Sequence, residues 1–256
     1  PNFQNIPIRT DEGREIRKAF RAKEKGWKIF SADYSQIELR IMAHLSEDPE
    51  LVKAFQEKED IHSRTASLVY GVPLEDVLPE MRRTAKVVNF GIMYGAGPFR
   101  MSQELGIPRD EATMIIESYF NQYSGIKNYM EKTLYQAREQ KFVTTMLGRK
   151  RPVWEIDSQN QIRKRAAERM AINMPIQGTA AEMIKLAMIS IYKKMKKEQL
   201  KSMMILQIHD ELIFEVPESE IEKLQSIGIP EMESALPLSV PVIVDWGVGD
   251  TWYDAH

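Results

Sequence analysis

Apolar and polar positions follow two rhythms along the chain, and the change of rhythm divides it. Residues 28–33 (KIFSAD) are a short apolar run that ends on a carboxylate, the pattern of a buried strand. Ser35 then stands where a helix cap belongs, before Ile37, Ile41, Met42 and Leu45 at helical spacing. Further helical patterns occupy 49–58, 61–70, 79–94, 109–122 and 124–140, punctuated by Gly71, Pro73, Gly95–Pro98 and Gly106–Pro108. A polar, basic connection at 148–160 leads to a helix over 161–173, which Pro175 is expected to end or kink because its ring breaks the hydrogen-bond ladder. Another helix is expected over 178–199. The rhythm then shortens to that of strands. Residues 203–208 and 212–216 are apolar runs separated by His209, Asp210 and Glu211, which predicts a hairpin, and 240–246 is a third candidate. Strands at the two ends and helices between them predict an α+β fold, a sheet domain interrupted by an all-helical insert.

Composition removes several chemistries. The 256 residues include no cysteine, so disulfide frameworks, thiolate zinc sites and cysteine nucleophiles are excluded, and a reducing compartment is the natural setting. The four histidines, His44, His62, His209 and His256, form no HxxxH pair, which argues against a histidine-built zinc site. No apolar run approaches the ~20 residues of a membrane span, so a soluble protein is expected. The opening PNFQNIPIRT lacks an initiator Met and a leader, and predicts a segment that begins part-way through a longer chain.

The net charge of −2 conceals a partition. Residues 207–256 carry eleven Asp or Glu against one Lys, a balance of −10, so residues 1–206 carry +8. Within them, 138–170 holds nine basic residues against four acidic, and 9–28 holds eight against four. Any one such run suits a solvated helix face equally well. Together, two basic tracts and an acidic lobe suit a protein that grips a polyanion with one surface and holds cations on another.

Three constellations carry candidate chemistry. Arg82, Lys86, Phe90 and Tyr94 recur at steps of four, which places them on one slowly rotating helical stripe. Two cations near a helix start suit phosphates, and the aromatics two turns on offer flat surfaces for a sugar and a base. A surface helix with core aromatics has the same spacing. Asp33 and Asp210 each end an apolar strand, with Glu211 beside them. Carboxylates there call for compensation, and Mg²⁺ is the usual partner of hard oxygens, although a turn and a helix cap use aspartate as well. Arg169, Asn173 and Gln177 repeat the step of four. Such side chains read minor-groove acceptors or simply line a polar helix face.

These residues lie in longer strings. DYSQIELR (33–40), RRTAKVVNFGIMYG (82–95) and QIHDELIFEVP (207–217) resemble the three polymerase motifs of family A DNA polymerases, in order. PNFQNIPIR (1–9), AERMAINMPIQGTAAEMIK (167–185) and DTWYDAH (250–256) extend the resemblance over essentially the whole chain. Phe3 departs from a commoner Leu, a conservative apolar change.

The resemblance implies a right-hand polymerase fold, with palm in 1–46 and 160–256, helical fingers in 47–159, and the thumb absent. It implies template-directed addition of dNTPs to a primer 3′-OH with release of pyrophosphate. Asp33, Asp210 and the Tyr34 backbone carbonyl match ligands of two Mg²⁺ ions, for which Mn²⁺ substitutes, and Glu211 belongs with the catalytic carboxylates. Arg82, Lys86 and His62 match contacts to the incoming triphosphate, Lys86 also as candidate proton donor to pyrophosphate. Phe90 matches the sugar-packing position, Tyr94 the nascent pair, and Glu38 the gate against a ribose 2′-OH. Gln36, in the first string, falls among the nucleotide-binding positions. Arg9, Arg169, Asn173, Gln177 and His209 match positions near primer and template. The implied partners are primer–template DNA and dNTPs, with no membrane and no obligate protein partner, for a cytoplasmic monomer in a bacterial or phage-infected cell. Two rivals remain: a single-subunit RNA polymerase, against which Glu38 and the Phe90–Tyr94 pattern argue, and a catalytically inactive DNA-binding module, against which the intact aspartates and cations argue.

Overall fold

The computed structural model describes Ile6 and residues 11–255, so Arg9, most of the string 1–9, and His256 lie outside the described residues. In chain order the elements are α1 (Asp11–Arg17), β1 (Trp27–Tyr34), α2 (Ile37–Ser46), α3 (Pro49–Gln56), α4 (Ile61–Tyr70), α5 (Pro79–Met93), α6 (Pro98–Leu105), α7 (Arg109–Gln122) and α8 (Ser124–Gln140). They continue with β2 (Phe142–Thr144), β3 (Lys150–Pro152), α9 (Gln161–Lys197), β4 (Met203–Ile208), β5 (Glu211–Pro217), α10 (Ile221–Glu233) and β6 (Val244–Gly249). Helices and antiparallel strands are mixed, an α+β fold. The chain divides into two compact units, one of residues 1–37, 180–237 and 242–256, the other of residues 38–179 and 238–241.

The first unit is built on a four-stranded antiparallel sheet of order β4-β5-β1-β6. Because side chains alternate along β1, its two faces differ. Phe30, Ala32 and Tyr34 face α10, with Phe30 packed edge-on to Phe214 and stacked on Trp246. Tyr34 extends this face by donating its hydroxyl to the Met232 carbonyl at 2.7 Å. Ile29, Ser31 and Asp33 occupy the other face, where Ile29, Ile213, Ile208, Trp252 and Ala255 form a core. Gly247 and Gly249 are required there. A Cβ on either would sit 2.5 Å from the Ala255 carbonyl oxygen or 2.4 Å from Asp254 Cβ, so the C-terminal turn closes on the sheet only over glycine.

The second unit is helical. Asp48 is fully buried and caps α3 through Leu51 N–H at 3.0 Å, while its other oxygen accepts from Gly125 N–H at 2.8 Å. A second core gathers Ala137, Val143, Val153, Ile156, Ala167 and Ala171 between α8, the β2–β3 hairpin and the start of α9.

Four local expectations are corrected. Pro175 neither ends nor splits its helix, since α9 runs unbroken from Gln161 to Lys197. An interior proline costs about 3 kcal/mol, and here Ile172 and Ile176 are buried beside it while the Thr179 hydroxyl donates to the Pro175 carbonyl at 2.6 Å. The span 98–105, lying between two punctuation signals with no element expected, is the helix α6, started by Pro98 and stopped by Gly106 at φ 67°. The connection at 148–160 contains β3, paired with β2. The last strand begins at Val244 rather than at 240, because Pro241 lacks the donor that a ladder needs.

Candidate active site

In the first unit, strand register brings acidic residues together. Asp33, half-buried at the end of β1, is paired with Glu211 on β5 and with Asp245 on β6, so all three lie in one row on one face. Glu211 is buried, and its Oε1 accepts from the Ser31 hydroxyl at 2.6 Å and the Trp252 indole N–H at 2.9 Å. The Arg17 guanidinium, also buried, lies 4.0 Å from the Trp252 ring centroid. Burial holds Arg17 below its usual range, while Glu211 and Asp33 pull it back toward charge. Its Nε and Nη1 find no hydrogen-bond partner among the described residues.

Asp210 sits in the tight β4–β5 turn. His209 is exposed in the left-handed region at φ 53°, and its carbonyl accepts from Gln207 Nε2 at 2.8 Å. The Asp210 carbonyl accepts from Tyr34 N–H at 3.3 Å, which ties the turn to the end of β1 beside Asp33. Burial, helped by Glu211, pushes the Asp210 carboxyl up from its ordinary value. Gln36, at φ 54° just past β1, has a buried Oε1 without a partner among the described residues.

Two half-buried carboxylates and neighbouring carbonyls form an all-oxygen donor set, which fits a hard divalent cation. No three His, Cys, Asp or Glu gather at ligating distance among the described residues.

In the second unit the α5 stripe takes shape. Arg82 and Lys86 are exposed near its start, Phe90 is half-buried, and Tyr94 closes the helix as its C-cap. The Phe90 ring lies 6.1 Å from Tyr94 and 5.9 Å from His62. The Tyr94 hydroxyl donates to Glu38 Oε2. Arg82 binds Asp60 through Nε and Nη2, the shortest contact being 2.7 Å, and Asp60 also caps α4 through Ser63 N–H at 2.7 Å. His62 is buried, and Asn89 meets its Nδ1 at 3.1 Å. Burial pushes the His62 imidazole down to about 4, against the pull of Asp60 and with the help of Arg82 and Lys86.

The continuity of α9 keeps Arg169, Asn173 and Gln177 on one stripe. With its nitrogen turned toward them, the Asn173 amide donates to the carbonyls of Met93 at 3.3 Å and Arg169 at 3.2 Å. Gly95, at φ 70°, leaves room for Arg169, whose Cγ lies 3.1 Å from where a Cβ would stand. Asn173 and Gln177 line a groove with Arg149, Lys150 and Arg151. Residues missed by sequence reasoning are Asp60, Thr65 and Asn89 around His62, and Arg17, Ser31 and Trp252 around Glu211. A polar residue inside the apolar stripe Ala85–Val88–Ile92 is the one signal that marked Asn89.

The family described as DNA polymerase family A matches residues 1–254. The chain is 51% identical to DNA polymerase I of Bacillus subtilis (strain 168), and all of it aligns with 29% of that protein. It is 48% identical to the thermostable DNA polymerase I of Thermus thermophilus, covering 30% of it. The chain thus spans about three-tenths of the length of these curated relatives. Among solved structures, the POL domain of the M. smegmatis polymerase, in complex with DNA primer-template and dNTP, matches with a TM-score of 0.96 and 45% identity, over 100% of this chain and 45% of that one. With residues 1–254 matched and half the positions identical to relatives along its length, this chain belongs to DNA polymerase family A.

Proposed function

We propose that this chain carries the palm (1–46 and 160–256) and fingers (47–159) of a template-directed DNA polymerase, adding dNTPs to a primer 3′-OH and releasing pyrophosphate. The observation that carries the reading is the placing of Asp33 and Asp210 at adjacent strand ends, joined by the Tyr34-to-Asp210 backbone bond, in a chain of this family. Primer–template DNA and dNTP, present with the M. smegmatis relative, are the partners proposed here. A monomeric, cytoplasmic protein without an obligate protein partner completes the proposal. Among the described residues no helix is long and apolar enough to cross a membrane.

Asp33, Asp210 and the Tyr34 carbonyl would hold two Mg²⁺ ions, or Mn²⁺ in their place. Such a pair, when bound, activates the attacking hydroxyl and stabilises the leaving oxygen of an in-line displacement. Glu211, fixed by Ser31 and Trp252, keeps the carboxylate row oriented. Arg82 and Lys86 bind the triphosphate, Lys86 giving a proton to the departing pyrophosphate, and His62 adds a further contact. Phe90 packs on the sugar, Tyr94 supports the nascent pair, and Glu38 refuses a 2′-OH, with Gln36 lining the nucleotide site. Arg169, Asn173, Gln177, His209 and Arg9 hold primer and template. Catalysis then rests on positioning and charge stabilisation, without a covalent enzyme intermediate.

The test is single-nucleotide primer extension with Mg²⁺ at low salt, beside an Asp210→Ala control. Extension that vanishes in the control supports the reading. Extension that survives removes Asp210 from its role, and preference for rNTPs replaces the DNA reading with an RNA polymerase. Where this chain alone does not extend, the assay is repeated with upstream sequence restored, and silence there replaces the proposal with the catalytically inactive DNA-binding module.

A further inference from the structure

His62 is one end of a buried polar chain that crosses between two helices. Thr65 lies one turn after it on α4, and the Thr65 hydroxyl donates to Asn89 Oδ1 on α5 at 3.1 Å. That bond commits the Asn89 oxygen and leaves its amide nitrogen facing His62 Nδ1, also at 3.1 Å. All three residues are buried, with Thr65 at 0%, Asn89 at 1% and His62 at 2% exposure. A buried amide in an apolar helix face is costly unless both of its ends are bonded, and α4 supplies both partners. A nitrogen that accepts a hydrogen bond carries no proton, so the imidazole proton belongs on Nε2.

We propose that Asn89, oriented by Thr65, is a positioning residue that holds His62 as the neutral Nε2–H tautomer, so that His62 meets an incoming triphosphate as an uncharged donor. The triphosphate part rests on the function proposed above; the tautomer does not. The groups around the ring agree with a neutral imidazole. Asp60 alone favours the cation, while burial, Arg82 and Lys86 oppose it, and the fourth neighbour, Phe90, is uncharged. The charge offered to phosphate then comes from Arg82 and Lys86 rather than from the imidazole.

The experiment is ¹⁵N NMR of the full chain with labelled histidine, His62 being assigned by His62→Gln among the four histidines. The expected spectrum shows Nδ1 unprotonated and Nε2 protonated, unchanged from about pH 5.5 to 8. A proton on Nδ1, or a ring that titrates near its ordinary value, overturns the proposal. Asn89→Asp has nearly the same shape but accepts from Nδ1–H. It should move the proton to Nδ1, raise the imidazole pKa, and leave Nε2 bare at pH 8. Nucleotide KM should then rise between pH 6 and pH 8 by roughly fivefold or more, the loss of a charge-assisted bond, while the wild-type ratio of the two stays flat in its His62 contribution. A KM ratio in Asn89→Asp equal to that of wild type, with the tautomer moved, overturns the role toward the nucleotide. If Asn89→Asp does not fold, Thr65→Val, which frees the amide to turn over, should give mixed tautomers, and a single Nε2–H form in it removes Thr65 from the device. A chain that extends no primer still reports the tautomer, so the two readings fail separately.

Discussion

Asp33 and Glu211 face each other across β1 and β5, and their surroundings differ sharply. Glu211 is buried and takes two neutral donors on one oxygen, whereas Asp33 is half-buried at the strand end. The inner carboxylate is thereby fixed in place. The outer one and Asp210, in the adjoining turn, are the pair proposed to bind a cation.

Trp252→Phe tests the support of Glu211. The aromatic ring still offers a face to Arg17 and an edge to Phe20, which lies 5.5 Å away in a T-shaped contact. The indole N–H to Glu211 disappears, leaving part of a buried carboxylate less well bonded, and the smaller ring leaves a cavity at a side chain only 1% exposed. The expected loss is about 1–3 kcal/mol of unfolding free energy, read from urea titration at constant m value. A change under about 0.5 kcal/mol would show that Ser31 suffices.

Asp210→Asn should trade function for stability. Because burial raises the Asp210 pKa in the folded state, this residue's contribution to stability is full below the ordinary value of 3.8 and is lost as pH rises through the raised value. At neutral pH the charged side chain is therefore a burden, and its amide should raise the melting temperature while abolishing primer extension. DNA affinity should stay near wild type, since the residues proposed to hold primer and template are others. A variant that melts at or below the wild-type temperature at pH 7.5 contradicts the stability half, and one that extends primers contradicts the catalytic half.

The parts of this arrangement that were legible in sequence are those with strong periodicity. The strands of 203–217, the turn at His209–Asp210, and the four-residue stripes on α5 and α9 follow from spacing alone. Pro175 misled because a local rule about one lost hydrogen bond yields to the burial of Ile172 and Ile176 on either side. The β2–β3 hairpin left no alternating signal, since Lys150, Arg151 and Pro152 are all exposed and only Val143 is buried on the partner strand. α6 carried its start and stop signals, but those same Pro and Gly residues read equally as a loop. The Thr65–Asn89–His62 and Ser31–Glu211–Trp252 connections join residues 24 to 180 positions apart, and no single-sequence pattern encodes such pairings.

Glu38→Ala tests sugar selection. In the folded chain the Tyr94 hydroxyl is bonded to Glu38, a contact that fixes both side chains in the helical unit. Removing the carboxylate opens the space proposed to exclude a 2′-OH and releases Tyr94. Relative use of rNTPs over dNTPs should rise by about tenfold or more, within what one pocket contact commands. Steady-state incorporation of the same base in both sugars measures it, and an unchanged ratio would take Glu38 out of that role.

Asp60 joins two tasks that substitution can separate. Its carboxylate caps α4 through Ser63 N–H and also binds Arg82, one of the two cations proposed to hold triphosphate. With side chains 38% and 45% exposed, the ion pair itself contributes at most about 1 kcal/mol. Asp60→Asn retains an oxygen for the cap and removes the charge that competes for Arg82. Nucleotide should then bind up to about fivefold more tightly, the equivalent of that ion pair. Asp60→Ala frees Arg82 in the same way but loses the cap, at about 0.5–2 kcal/mol of stability. The pH response separates the two as well. Burial pushes the Asp60 carboxyl up, and Arg82 together with the Ser63 amide more than offsets it, so its pKa is held below 3.8. A lowered carboxylate adds stability above its unfolded pKa and loses it as pH falls through the folded value. The wild type should therefore lose more stability than Asp60→Asn on acidification from about pH 5 to 3. Parallel acid unfolding of the two proteins, or unchanged nucleotide affinity in Asp60→Asn, would mean that Arg82 is not held back by Asp60.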